Sequence, residues 1–253
     1  MKSFWPGNSV WLPAGILAMA AVWQVLSLFY NPLILPSPSE TLAALGKMAT
    51  SGELSSRAAV TIGRGLAGFA LAAALGTLLG LALGFSKRLE SAFRPALVAM
   101  QATPLVSWLL LAIIWLGLNG SVPVFIVFIT TLPLVMINTY HGVKEIDPAL
   151  VEMAGVFGIS GKRMVMEVYL PQISPFLLAG FSAALGTTWK AVAMAELFST
   201  RDGIGAGLAV ARINLETDDI FALTLMLVAI GLLADRLLMR LAARGRGPAS
   251  NVK

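Results

Sequence analysis

Stretches of twenty or so apolar residues recur along the whole chain, and they leave few folds open. A helix that crosses a bilayer needs about 20 mostly apolar residues. Six segments qualify: 10–29, 58–85, 95–118, 122–140, 173–195 and 220–241. Water-soluble domains carry roughly 25% charged residues. This chain of 253 residues has 12%, against 57% hydrophobic. Its polar side chains are too few to cover a packed core, and lipid is the solvent that fits. The expected fold is an all-α integral membrane protein, with residues 1–253 as one transmembrane domain of about six helices. Ala18-Met19-Ala20 resembles a signal cleavage site, but the apolar run continues to Phe29 and only Lys2 is charged before it, which favours an uncleaved helix.

The net charge of +5 does not point to nucleic acid, because the basic residues are scattered over short loops and form no stripe. Their bias is towards one side. With the N-terminus inside, twelve of the 18 Lys and Arg fall on the inner face, among them Lys87, Arg88, Arg94 and Lys144. Cytoplasmic loops carry such an excess. Lys47, Arg57, Arg64, Lys190, Arg201 and Arg212 fall in the outer half. Both termini are then cytoplasmic. Residues 31–57 form an outer connection, with Ser39 as N-cap of a short helix. Residues 142–171 lie inside, and 196–219 lie outside again.

The second apolar segment repeats small residues every four positions: Gly68, Ala72, Gly76, Gly80 and Gly84. Such a strip lets two backbones approach closely in lipid. The partner is another helix of the same chain or a second subunit.

Several chemistries are excluded. There is one histidine, His141, and no cysteine, so neither a thiolate metal site nor a two-histidine site can form. Gly161-Lys162 is followed by Arg163 and preceded five places earlier by Val156, so it is not a phosphate-cradling loop. No catalytic residues, metal or resident cofactor are expected.

One segment between the apolar runs is out of character: "EMAGVFGISGKRMVMEVYLP", residues 152–171. Asp147 and Pro148 are start signals for a short helix before it. Gly158 then bends or ends that helix, and Ser160 can cap a second one. The product is two short helices with an apolar and basic edge outside the lipid. An apolar edge in a cytoplasmic loop calls for a docking partner.

The spacing Glu152-Met153-Ala154-xxx-Gly158, nine residues, Val168-x-Leu170-Pro171 resembles the EAA motif of binding-protein-dependent ABC importer permeases. Met stands at the second motif position and Val at the Ile position, with the spacing intact. "LPSPSETLAAL", "INTYHGVKEIDPALVEMAGVFGIS" and "TWKAVAMAELFSTRDGIGAGL" are similar to the nitrate/sulfonate/taurine group of that family.

The resemblance implies a permease subunit in the bacterial inner membrane, with a small anionic or polar organic solute as its cargo. It implies two ABC ATPase subunits carrying ATP and Mg, a second permease copy as homodimer, and a periplasmic or lipid-anchored substrate-binding protein. The loop at about 142–171 is then the coupling loop, with Glu152, Ala154, Gly158, Ser160, Gly161, Lys162 and Arg163 at the ATPase interface. Polar side chains within the spans are costly and so are pathway candidates: Gln101, Thr103, Ser107, Asn138, Thr187, Thr188, Trp189 and Lys190. Ser and Thr can instead bond their own helix carbonyls. Lys190 can attract an anion, snorkel to the interface, or pair with Glu196. The alternative function is a membrane scaffold or signalling subunit that docks a partner without moving solute.

Overall fold

The computed structural model describes residues 11–245. Lys2, Arg246 and Lys253 of the basic count, and both chain ends, lie outside the described residues. Eleven α-helices follow one another, with no strand among the described residues: α1 Trp11–Ser27, α2 Pro38–Thr50, α3 Glu53–Phe85, α4 Lys87–Ala102, α5 Leu105–Leu116, α6 Ser121–Lys144, α7 Pro148–Val156, α8 Gly161–Met164, α9 Leu170–Ser199, α10 Ile204–Asn214 and α11 Thr217–Gly245. A π turn, Val165–Tyr169, joins α8 to α9 just before Pro171, which has no N–H to continue the ladder.

Each of the six expected segments overlaps helix in its described residues, but they do not form six equal spans. Among the described residues four helices are long and apolar enough to cross a membrane: Glu53–Phe85, Ser121–Lys144, Gly161–Ser199 and Thr217–Ala242. Among the described residues the first segment gives a shorter apolar helix, Pro13–Ser27. The third, expected as one span over 95–118, is broken: α4 and α5 meet at 97°. Pro104 explains the break. Proline pushes the preceding residue out of the helical region, and Thr103 has φ −72° and ψ 123°.

The glycine strip sets the packing. A Cβ on Gly68 would lie 2.7 Å from that of Val127, one on Gly76 2.9 Å from that of Val135, and one on Gly80 2.6 Å from that of Thr139, while Gly84 meets Val143. Partner numbers rise in step with glycine numbers, so α3 and α6 run parallel in fixed register. Parallel neighbours need the chain to return between them, and α4 with α5 makes that return. On its other side α6 meets α9, with Gly142 against Phe176 and Gly180 against Asn138. Here the numbers run in opposite order, so α9 is antiparallel. Of the α6 apolar window 56% is buried, against 28% for α3 and 17% for α11, which makes α6 the centre of the bundle.

Outside the bundle, α2 starts at Ser37, not at Ser39. The Ser37 hydroxyl accepts from Glu40 N–H at 3.2 Å, and the Glu40 carboxylate accepts from Ser37 N–H at 2.7 Å. This reciprocal pair satisfies two otherwise orphaned donors.

Candidate functional site

The loop after α6 is built by local signals. Asp147 caps α7, its carboxylate accepting from Ala149 N–H at 2.9 Å, and Pro148 occupies the first turn. The helix ends in a Schellman turn at Gly158: Ile159 N–H reaches Ala154 O at 2.9 Å and Gly158 N–H reaches Gly155 O at 3.0 Å. Gly158 has φ +72°, and Gly161, three residues later, has φ +56°. The chain reverses over residues 158–161 and enters α8. Gln172 ties the two ends together, accepting from Asp147 N–H at 2.8 Å and donating to Val168 O at 3.0 Å.

Between α7 and the start of α9 lies an open groove of 370 Å3, lined mainly by Leu150, Met153, Ala154, Phe157, Ile159 and Val168. Ala154 forms its buried floor. Val156 and Phe157 are 86% and 76% exposed and form an apolar edge. Glu152, Ser160 and Lys162 are exposed beside it. Ser160 stands at the N-cap position of α8, but its hydroxyl makes no capping bond. Arg163 pairs with Glu167 one turn on, at 3.0 Å; solvent screens an exposed pair of that kind, so it adds little to stability.

The pathway candidates are not gathered into one site. Thr103 donates to Ala99 O at 2.7 Å, Asn138 to Leu134 O at 2.8 Å, and Thr187 and Thr188 to Ala183 O and Ala184 O at 3.0 Å. Each closes on its own helix. Ser107 is exposed on the first turn of α5. Trp189 is a core residue wedged against Gly65 and Gly231, and its buried indole N–H has no partner. Lys190 is exposed and makes no pair with Glu196. Gln101 lines a cavity beside Arg94, Tyr140 and His141.

Glu196 turns elsewhere, to a network that sequence reading missed. Its carboxylate is fully buried and accepts from Thr61 Oγ1 at 2.8 Å, from Arg64 at 3.0 Å and from Gly205 N–H at 3.0 Å. Arg64 also holds Asp202 at 2.7 Å, and Arg57 donates to Gly203 O at 3.2 Å. Thr61 Oγ1 in turn accepts from Ile204 N–H at 2.8 Å. Arg57, Thr61 and Arg64 lie on one face of α3, so the network locks α3 to the end of α9 and the start of α10. The available signal was their spacing of four and three and a carboxylate in an apolar run. Removing one member of a buried pair costs about 3–5 kcal/mol. Glu196→Ala is therefore expected to lower the thermal midpoint of the purified protein clearly, and Glu196→Gln to lower it less, because the amide oxygen still accepts. Equal midpoints for Ala and wild type would show that the network contributes nothing.

Residues 72–247 match the family model described as binding-protein-dependent transport system inner membrane component. A protein of Escherichia coli named for aliphatic sulfonates transport, the permease SsuC, is 36% identical over 226 residues, which cover 88% of this chain and 85% of that one. The nitrate import permease NrtB of Synechococcus elongatus is 28% identical over 195 residues, covering 73% and 70%. The fold is similar to a crystal structure of an amino acid ABC transporter, with TM-score 0.53 and 20% identity over 79% of this chain and 95% of that one.

Proposed function

This chain belongs to the binding-protein-dependent transport system inner membrane components, the permeases of ABC transporters, and on that premise we propose that it is the membrane-spanning half of an importer for small anions. Transport permease is the role of the family, in which the ATPase is a separate subunit and a substrate-binding component takes part. Two copies of this chain form the passage. Two ATPase subunits, which carry the ATP and Mg, seat against the groove beside α7. A substrate-binding protein delivers solute at the opposite face, near residues 199–203. Relatives named for sulfonates and nitrate favour an anionic solute.

One observation carries the reading of the loop: Phe157 and Val156 are exposed at 76% and 86% on a helix too short to lie in the bilayer as a span. Apolar edges of this size on a polar loop mark a protein contact. The groove beside them supplies the shape, and Lys162 supplies charge for acidic groups on the partner.

Sidedness tests it. The chain has no cysteine, so single ones can be introduced at will. A membrane-impermeant maleimide applied from outside is expected to label Ser51→Cys and to spare Lys162→Cys. Addition of a cognate ATPase subunit to inverted vesicles should then protect Lys162→Cys. External labelling of Lys162→Cys would place the loop on the wrong side of the membrane and end the docking proposal.

A further inference from the structure

Where α4 turns away from α5, one of its faces looks onto the last turns of α6 and borders an open cavity of about 290 Å3. Glu90, Arg94 and Gln101 come from α4, and Tyr140 and His141 from α6. The spacing of four and seven puts the three α4 residues on one side of that helix. The charge of Glu90 is already matched within the chain: its carboxylate accepts from the Tyr140 hydroxyl at 2.6 Å and from Lys144 Nζ at 3.1 Å. The other three are different. The side chains of Arg94, Gln101 and His141 make no hydrogen bond or ion pair among the described residues, although the field of Glu90 reaches Arg94 and the His141 ring packs edge-on against Tyr140 at 5.2 Å.

Three exposed donor-bearing side chains thus share one cavity with a carboxylate that Tyr140 and Lys144 already engage. Guanidinium offers a planar fork that matches a pair of oxygens. A side-chain amide and an imidazole each add an N–H. With Lys144 balancing Glu90, Arg94 leaves the cavity with net positive charge. We propose that this cavity is an oxyanion site on the translocation route, with Arg94 as its charge and Gln101 and His141 as orienting donors. It rests on the transport reading above and narrows it: the solute carries a sulfonate- or nitrate-like group, which stops here at the α6 end that leads into the α7 loop. Its size suits a small organic anion and lies at the lower end of ligand pockets. A lipid phosphate offers the same oxygens, so the test must separate the two sources.

The full-length permease is placed in nanodiscs of phosphatidylcholine, and ethanesulfonate binding is followed by saturation-transfer NMR with ethyl methyl sulfone as neutral control. Wild type should bind the anion and not the sulfone. Arg94→Gln should weaken binding about tenfold or more, the size of a lost hydrogen bond to a charged group. Arg94→Lys should retain most of it, and Arg88→Gln, exposed on the same helix away from the cavity, should change nothing. Arg94 is exposed and unpaired, so these variants should melt with wild type. Equal anion binding in wild type and Arg94→Gln, or none in wild type, overturns the site. A second set of nanodiscs contains phosphatidylglycerol. If Arg94 retains that lipid and ethanesulfonate does not displace it, the site belongs to lipid and the assignment to solute is overturned. Uptake by the assembled transporter separates this failure from the broader one. Normal uptake of an anion by Arg94→Gln sinks the site alone, whereas a wild-type transporter that moves no solute sinks the transport reading.

Discussion

Gly80→Leu is expected to cut the folded permease recovered from membranes by about tenfold or more. A Cβ at position 80 would lie 2.5 Å from the Met136 carbonyl oxygen and 2.6 Å from the Thr139 Cβ. Neither atom can rotate away, since one is backbone and the other is fixed to it. Thr139 is also locked by its own bond to Val135 O at 2.8 Å. The whole of α3 would have to lift off α6, and Gly76 and Gly84 would lose their contacts with it. Extra methylenes in a packed core typically cost about 1–3 kcal/mol, and a leucine here adds four carbons where none fits. Each 1.4 kcal/mol is roughly tenfold in the folded population. Gly63 lies on the same helix with nothing within 4 Å of its Cβ, so Gly63→Leu is the matched control and should leave recovery near wild type. Size-exclusion of a fluorescent fusion reads both. Full recovery of a monodisperse Gly80→Leu permease would mean that α3 and α6 are not in the contact described. Recovery of folded monomer with loss of the dimer would move the strip to a subunit interface.

That contact was half legible in the sequence. The period of four announced a strip of small residues, but a strip does not name what lies against it. The parallel register with α6 comes from helices joined through the returning pair α4 and α5, and no local pattern records it. Pro104 poses a similar problem. Pro95, Pro133 and Pro175 also stand in apolar segments and remain inside helices, so a proline alone does not announce a break. The start of α2 was readable: Ser37 stands three before Glu40, whereas Ser39 has Leu42 at that place. The Glu196 network was hidden for a plainer reason. Its partners Thr61 and Arg64 are 135 and 132 residues away in the chain, and only folding brings them together. Among the candidate sites, the loop was the legible one, because Asp147, Pro148 and Gly158 act on their nearest neighbours. The pathway candidates were not, because a hydroxyl on a helix always has its own carbonyls within reach.

Gly158→Val is expected to abolish uptake and to reduce co-purified ATPase at least about tenfold, with normal amounts of permease in the membrane. The cause is backbone geometry, not crowding. Gly158 holds φ +72°, and a Cβ there would meet nothing within 4 Å. A left-handed conformation costs an L-residue roughly 1–2 kcal/mol, and a β-branched one more. The Schellman bonds from Ile159 and Gly158 N–H depend on that φ, so valine would trade the turn for another conformation and swing α8 away from α7. The groove over Ala154 would open, and Phe157 would lose its place at the edge. The bundle lies elsewhere, around α6, so insertion should survive. Asparagine visits the left-handed region more readily, which gives the discriminating variant: Gly158→Asn adds bulk without charge and should keep most ATPase binding. Gly158→Asp keeps the same shape but adds a negative charge beside Lys162 and Arg163, so a larger loss in Asp than in Asn would measure the electrostatic share of docking. Membrane abundance, bound ATPase and uptake are measured on the same preparations. If valine at 158 leaves ATPase binding and uptake at wild-type levels, the turn is not a coupling element. If Asn fails as badly as Val, the partner packs directly against the bare glycine, and close approach replaces backbone conformation as the reason glycine is there.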